Sequence, residues 1–196
     1  MRTLIALALI LAAPAALHAQ RVDIRGGVYT GASLPVGDLH DKDGAGTNNF
    51  FGAHVGGHLD FNLTPQHQVR GHITFIGMPG SEWDDYADHT NDISMLQVGA
   101  DWVYHFQGQN RGWYSVAGAS LNRVRADYDI PGVGDGSATQ SGKLGVRGGA
   151  GYIFNRLFAL EGTLNQVSVK KSGSEGLGFS TATWLQVSAV FRFGGR

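Results

Sequence analysis

The stretch FGAHVGGHLDF, residues 51–61, reads as two different surfaces in one strand. Side chains alternate across a β-strand, so Phe51, Ala53, Val55, Gly57, Leu59 and Phe61 share one side. Gly52, His54, Gly56, His58 and Asp60 share the other. In a water-soluble sheet the apolar side packs inward. In a barrel that crosses a membrane it faces lipid, and the polar side fills the interior. The rest of the chain decides between these two geometries.

The same alternation recurs in eight segments. RVDIRGGVYTGAS sets Val22, Ile24, Val28 and Thr30 against Asp23, Arg25 and Tyr29. After the opening stretch, QVRGHITFIGM sets Val69, Ile73 and Phe75 against Arg70, His72 and Thr74. MLQVGADWVYHF places Leu96, Val98, Ala100, Trp102, Tyr104 and Phe106 opposite Gln97, Asp101 and His105. WYSVAGASLNRVR is rich in small residues on both sides, and its faces are not assigned. KLGVRGGAGYIF sets Leu144, Val146, Ala150, Tyr152 and Phe154 against Lys143 and Arg147. LFALEGTLNQ sets Phe158, Leu160 and Leu164 against Glu161, Thr163 and Asn165. TWLQVSAVFRF sets Leu185, Val187, Ala189, Phe191 and Phe193 against Gln186, Ser188 and Arg192.

The connections alternate in length. NLTPQH, QGQNRG and NR are short, whereas 34–49, 79–92, 126–141 and 169–180 are long and rich in Gly, Asp, Ser and Lys. Short turns at one end and long loops at the other are the layout of an up-and-down membrane barrel. Aromatic residues add to this. Phe61, Trp102, Tyr104, Phe106, Tyr152, Phe154, Phe158, Phe191 and Phe193 fall at the short-turn ends of their strands, where a girdle at the membrane–water boundary is expected.

The start of the chain, MRTLIALALILAAPAALHAQ, has a positive Arg2, an apolar run over 3–17 and a small residue at Ala19. That is the pattern of a signal peptide over 1–19, leaving 20–196 as one mature domain. The run is too short for a membrane anchor and contains Pro14. There is no cysteine, so no disulfide framework compensates for a thin core. Formal net charge is −1, which favours neither nucleic acid nor an acidic surface as partner. After the signal no apolar run reaches the roughly 18 residues of a membrane helix. A closed barrel is then the way left to span a membrane, because only helices and barrels satisfy their backbone there.

The polar sides carry Asp23, Arg25, His54, His58, Asp60, Arg70, His72, Asp101, Lys143, Arg147, Glu161 and Arg192 in mid-strand. An eight-stranded barrel is only wide enough to be filled by side chains. Charges held inside must be paired, because unpaired buried charge is costly. An ion-pair network is therefore expected in the lumen, centred on Glu161 with Arg147 and Lys143 and joined by Asp60, Arg70, Asp101 and Arg192. The opening stretch then turns Leu59 to lipid and Asp60 inward, with Arg70 on the next strand as its partner.

The chain resembles the small eight-stranded outer-membrane barrels, the OmpA/OmpX-like β-barrel domains, over nearly all of its mature length. The most specific part is QVSAVFRF, where Gln186, Ser188, Phe191 and Phe193 match the family's assembly signal. Ser188 stands where glycine is commoner, and the chain continues through Gly194, Gly195 and Arg196. The resemblance implies an outer-membrane protein of a Gram-negative-type bacterium, inserted by the outer-membrane assembly machinery. Outer-membrane lipids and lipopolysaccharide are the implied surroundings. Internal ion pairs plug the lumen in the resembled barrels. A monomer without cofactor is expected.

Other constellations are weighed against packing. His54, His58, Asp60 and His72 could gather a metal, but residues four apart on a strand hardly share a ligand, and hydrogen bonding in the lumen is preferred. Glu161 as a general acid or base is set against its role as an ion-pair partner. Glu82, Asp84, Asp85, Asp88 and Asp92 lack the spacing of a calcium loop and read as a solvated acidic segment. Lys170 and Lys171 sit near a rim, where lipopolysaccharide phosphates or water would meet them. His89 and Thr90 lie in a loop with no serine two residues on, and no Ser/His/acid set stands on one outward rim. The expected role is therefore structural or surface-interacting, through four extracellular loops. A narrow channel for small solutes is second, and a lipid-modifying enzyme third.

Overall fold

The computed structural model describes residues 23–40, 47, 51–80, 90–130, 134–171 and 177–194. Among them run β1 (Asp23–Val36), β2 (Gly52–Asn62), β3 (His67–Met78), β4 (Thr90–His105), β5 (Gly112–Ile130), β6 (Gly134–Ile153), β7 (Phe158–Ser168) and β8 (Thr181–Gly194). Each strand pairs antiparallel with the next. β8 returns to β1, from Arg25↔Gly194 to Val36↔Thr183, so the sheet closes into an all-β, eight-stranded up-and-down barrel. No described helix is long and apolar enough to cross a membrane. Residues 1–19 and the acidic residues Glu82, Asp84, Asp85 and Asp88 lie outside the described part, as does His89.

The apolar sides face outward. Val55, Leu59, Phe75, Val98, Leu144, Val146, Leu164 and Val187 are exposed, while His54, His58, Asp60, Arg70, Asp101 and Glu161 are buried inside. The fifth segment resolves in the same sense. Trp113 and Leu121 face out, and Tyr114, Val116, Ser120 and Asn122 face in. Along β4 and the residue after it, the outward apolar run from Leu96 to Phe106 is ten residue steps long. At about 3.4 Å per step and a tilt of about 45° this gives a band roughly 25 Å tall, the height of a bilayer's apolar zone. At the turn end the rings form a continuous series. Trp113, Tyr152, Phe154, Phe158 and Phe191 stand 5.2, 5.0, 5.6 and 5.5 Å apart, centroid to centroid.

The strands reach further than the alternation indicates. The stretch 126–141 is expected as a connection, yet β5 runs to Ile130 and β6 starts at Gly134. β1 likewise runs through Leu34 and Pro35 to Val36, and β4 begins at Thr90. The reason is that these ends stand beyond the lipid. Their outer residues, such as Asp92, Ser94, Arg125 and Asp127, are polar, so the apolar-out signature stops before the strand does. A bulge adds to the concealment. Ser141 and Gly142 together oppose Arg123, because Asn122 pairs with Lys143 and Val124 with Gln140. Gly142 adopts φ +68, which only glycine takes up without strain. The extra residue flips the parity of β6, so that Gly145 and Arg147 face in below it and Gln140 above it.

At the loop end the two faces exchange character. On β4 the inward residues change from Asp101 and Gln97 to Met95 and Ile93, while the outward ones change from Val98 and Leu96 to Ser94 and Asp92. β5 does the same, with Asn122 giving way to Val124 and Ala126 inside, and Leu121 to Arg123 and Arg125 outside. β7 and β8 follow with Val167, Ala182 and Trp184 inside. These residues form one apolar cluster with Ile76 and Met78, and Leu39, Leu177 and Phe179 close it from above. Both answers to the opening question are therefore present in one barrel. The lipid-bound part is apolar outside, and the part beyond it is built like a water-soluble barrel.

Two measurements check this arrangement. A spin label at Leu59 should be quenched by lipid-dissolved oxygen and one at Asp60 should not, and Leu59→Arg should cost about 2–4 kcal/mol near the midplane. Equal oxygen response at the two positions would refute the facing. Trp184→Ala, which removes the largest fully buried side chain among the described residues, should cost about 3–5 kcal/mol in urea unfolding from micelles. An unshifted midpoint would mean that the upper cluster is not packed.

Candidate functional site

The inward face of the lipid-bound part carries one charged cluster, and the register explains how it forms. Asp60 is opposite Arg70, Arg70 opposite Asp101, Asp101 opposite Gly118, and Gly118 opposite Arg147. One row around the barrel thus reads acid, base, acid, glycine, base across β2 to β6. Gly118 is needed there, because a Cβ at that position would collide with the Asp101 carboxylate. Gly151 plays the same part for Tyr114, whose ring occupies the space a side chain would take.

Glu161 projects from β7 into this row and joins it. Its Oε2 accepts from Arg70 Nη1 at 2.6 Å and from the Tyr114 hydroxyl at 2.9 Å. Its Oε1 accepts from Arg147 Nη2 at 2.9 Å. Arg70 also donates through Nε to Asp60 Oδ1 at 3.0 Å. Arg147 Nε stands 3.4 Å from Asp101 Oδ1, and Arg192 Nε 4.0 Å from Asp60 Oδ2. Three guanidinium groups thus meet three carboxylates, so the cluster is neutral as a whole. β3 and β7 are four strands apart in a ring of eight, so Arg70 and Glu161 meet across the full diameter of the barrel.

Lys143 does not join them. It stands four residues from Arg147, about 13 Å along β6, next to the bulge where the parity of that strand changes. It has no ion pair among the described residues. Its distance from the charged row, at an irregularity that the alternation does not reveal, is the physical reason.

His54, His58 and His72 fill the space above the cluster, and His105 lies below it, 3.0 Å from Gln68 Oε1. His54 uses both ring nitrogens, Nδ1 at 3.0 Å from Ser33 Oγ and Nε2 at 2.8 Å from Ser188 Oγ. His58 and His72 are register partners, and they approach Asp60 and Asp101 at 3.5 and 3.6 Å. Among the described residues no three His, Asp or Glu side chains gather in a metal-holding group. Among the described residues, both ring nitrogens of His58 and of His72 lack a hydrogen-bond partner, as do both Asp101 oxygens. Buried groups of this kind ordinarily hold internal water.

The lumen is also covered at the turn end. The connection between β4 and β5 folds under the mouth. Arg192 Nη1 donates to the Gln109 carbonyl at 3.0 Å, Arg25 Nη1 to Asn110 Oδ1 at 3.3 Å, and Gln109 Nε2 to the Thr64 carbonyl at 2.8 Å. With the apolar cluster above and this turn below, the charged row is enclosed. Glu161 is 5% exposed and its oxygens are engaged by three donors, so it offers no acid or base to a substrate.

Tyr114, Gly118, Gln109 and Asn110 are absent from the reading of the sequence. Tyr114 could have been found, since Trp113 beside it is a lipid-facing aromatic at the turn end, which forces its neighbour inward. The hydrogen bonds of Gln109 and Asn110 depend on how a turn folds and leave no periodic trace. On β8, Gln186 and Ser188 face in while Phe191 and Phe193 face out. Lys170 lies after β7, with its backbone N–H and carbonyl bonded to the Gln140 side chain at 2.9 and 2.8 Å. Lys171 is exposed beside it, and Asp92 accepts from the Gly80 N–H at 2.8 Å.

Known proteins agree with this geometry. The model of the outer membrane protein β-barrel domain matches residues 4–193. No curated protein sequence matches the chain. A major outer membrane protein of Thermus thermophilus superposes with TM-score 0.54 at 14% identity, over 87% of this chain and 99% of that one. The N-terminal β-barrel domain of Pseudomonas aeruginosa OprF gives 0.52 at 14%, over 88% and 100%. The attachment invasion locus protein Ail of Yersinia pestis gives 0.51 at 14%, over 88% and 97%. At such identities the likeness is one of fold, and the family match supplies the rest: the chain belongs to the outer membrane protein β-barrel domain family, as an eight-stranded barrel of the bacterial outer membrane.

Proposed function

We propose that this barrel is a closed membrane-wall protein with a structural or surface-interaction role, carried by its four long connections, and not a general porin. The observation that supports this most is the Arg70–Glu161 pair at 2.6 Å, which bridges the barrel across its diameter. A solute passing through would have to separate it. Removing one partner of a buried ion pair costs about 3–5 kcal/mol, so spontaneous opening is rare. In this reading the short turns and both chain termini face the periplasm and the long connections face outward. Residues 1–19 act as the signal peptide of a domain over 20–196. Gln186, Ser188, Phe191 and Phe193 are the contacts for the assembly machinery, and the barrel works as a monomer. No catalytic role is assigned.

A narrow channel is the second reading, and the unsatisfied polar atoms of His58, His72 and Asp101 are what favours it. A planar bilayer separates the two. The closed-wall reading expects rare, small openings, and large stable conductance would contradict it. Glu161→Gln removes the carboxylate shared by Arg70 and Arg147. It should lower stability by about 3–5 kcal/mol in urea unfolding from micelles and raise the frequency of openings. A variant as stable and as silent as the original would show that Glu161 does not hold the lumen shut.

A further inference from the structure

The level at which the two faces exchange character is also where the outer wall is hollow. Two neighbouring rows of outward residues cross the strands there. The lower row, Thr30–Val55–Phe75–Leu96–Arg123, is bulky and apolar from Val55 to Leu96 and ends on arginine. The upper row, Ala53–Gly77–Ser94–Arg125, is small until it too ends on arginine. The difference in size makes a trough of about 680 Å³ along these rows. A second hollow of about 450 Å³ continues it past Ala53, Gly77 and Ser94 towards Asp92 and Asp127. A Cβ at Gly77 would meet nothing within 4 Å, so the floor is open.

The charges at the end of the trough are ordered by height. Arg123 is lowest, beside Leu96, and makes no ion pair among the described residues. Arg125 is next, and Asp127 engages its Nε and Nη2 at 2.8 and 2.7 Å, so Nη1 takes no part in the pair. Asp127 and its register partner Asp92 stand on the far side from the lipid. Two carboxylates there repel a phosphate arriving from water, whereas one arriving from the membrane meets Arg123 first. The carboxylates and the Ser94 hydroxyl accept hydrogen bonds from sugar hydroxyls. Charge order, trough and apolar floor thus ask for one molecule with phosphate, hydroxyls and acyl chain together.

We infer that this trough is a binding site for a phosphorylated, acylated glycolipid of the surrounding leaflet. Arg123 and Arg125 hold its phosphate, Ser94 and Asp92 meet its sugar, and an acyl chain lies over Ala53 and Gly77 against Val55, Phe75 and Leu96. The site rests on the outward orientation of the loop end proposed above, but its test does not. Micelles have no sides, so binding there is read apart from orientation.

The test is retention of diphosphorylated lipid A by the full-length barrel in detergent, followed by native mass spectrometry, with phosphatidylglycerol and inorganic phosphate as competitors. The barrel should prefer lipid A to phosphatidylglycerol and be indifferent to inorganic phosphate. Arg123→Gln with Arg125→Gln should weaken retention about tenfold or more, the usual worth of charged hydrogen bonds. Gly77→Leu fills the trough from a position whose Cβ meets nothing within 4 Å, and should weaken retention while leaving heat-modifiable gel mobility unchanged. Arg156→Gln, in the turn between β6 and β7, should have no effect. Undiminished retention by the double arginine variant or by Gly77→Leu would overturn the site. Equal retention of phosphatidylglycerol would overturn the glycolipid, and competition by inorganic phosphate would overturn a membrane source.

Discussion

A sheet immersed in hydrocarbon cannot leave an edge unpaired, and everything else in this barrel depends on the β1–β8 ladder that removes that edge. Closure with eight strands fixes a bore too narrow to stay open, so the interior has to be packed. Val103, Val116, Ile153, Ala159 and Val190 supply an apolar part of that packing, and polar side chains supply the rest. The inward face is thus mixed, and its charges need partners. Glu161 meets this need by taking Arg70, Arg147 and Tyr114 at once. The glycines at 118 and 151 keep the space around them clear.

The chain passes through two solvents, and its pattern changes where they meet. Within the lipid band water is absent outside and the polar residues turn inward. Beyond it water surrounds the wall, and Ile93, Met95, Val124 and Trp184 turn inward instead. No turn or kink is needed for this. The strands run on unbroken through the boundary and the order of residues along them changes. The short bulge at Ser141 and Gly142 lets β6 do so with one residue more than its neighbour.

Much of this was legible in the alternation itself. The strands in contact with lipid, their facing and the closed up-and-down topology follow from period-two patterns and the rhythm of short and long connections. Asp60 and Arg70 could be matched because a short turn sets the register between β2 and β3. The rest was not legible, for physical reasons. The upper halves of β5 and β6 lie where neither face meets lipid, so alternation of the expected kind ends early. That Lys143 stays out of the network is not legible, because the inward side of a strand says nothing about height, and Lys143 stands beside the bulge, well above Glu161. Leu39, Leu177 and Phe179 come from connections, where no period says which residue turns inward. The trough on the outer wall arises from four strands at once and is invisible in any one of them.

The turn that closes the lower mouth has a consequence for the order of assembly. Gln109 lies between β4 and β5, in the middle of the chain, while the arginine that fastens it, Arg192, is on the last strand. That bond cannot exist until β8 has arrived beside β1. The strut across the bore obeys the same logic, since Arg70 from β3 must wait for β7. A chain inserted only as far as β6 would hold Arg70 on Asp60 without Glu161, with its mouth uncovered, and β7 and then β8 remove these defects in turn. The latch is a record, written in the interior, that the last strand is in place.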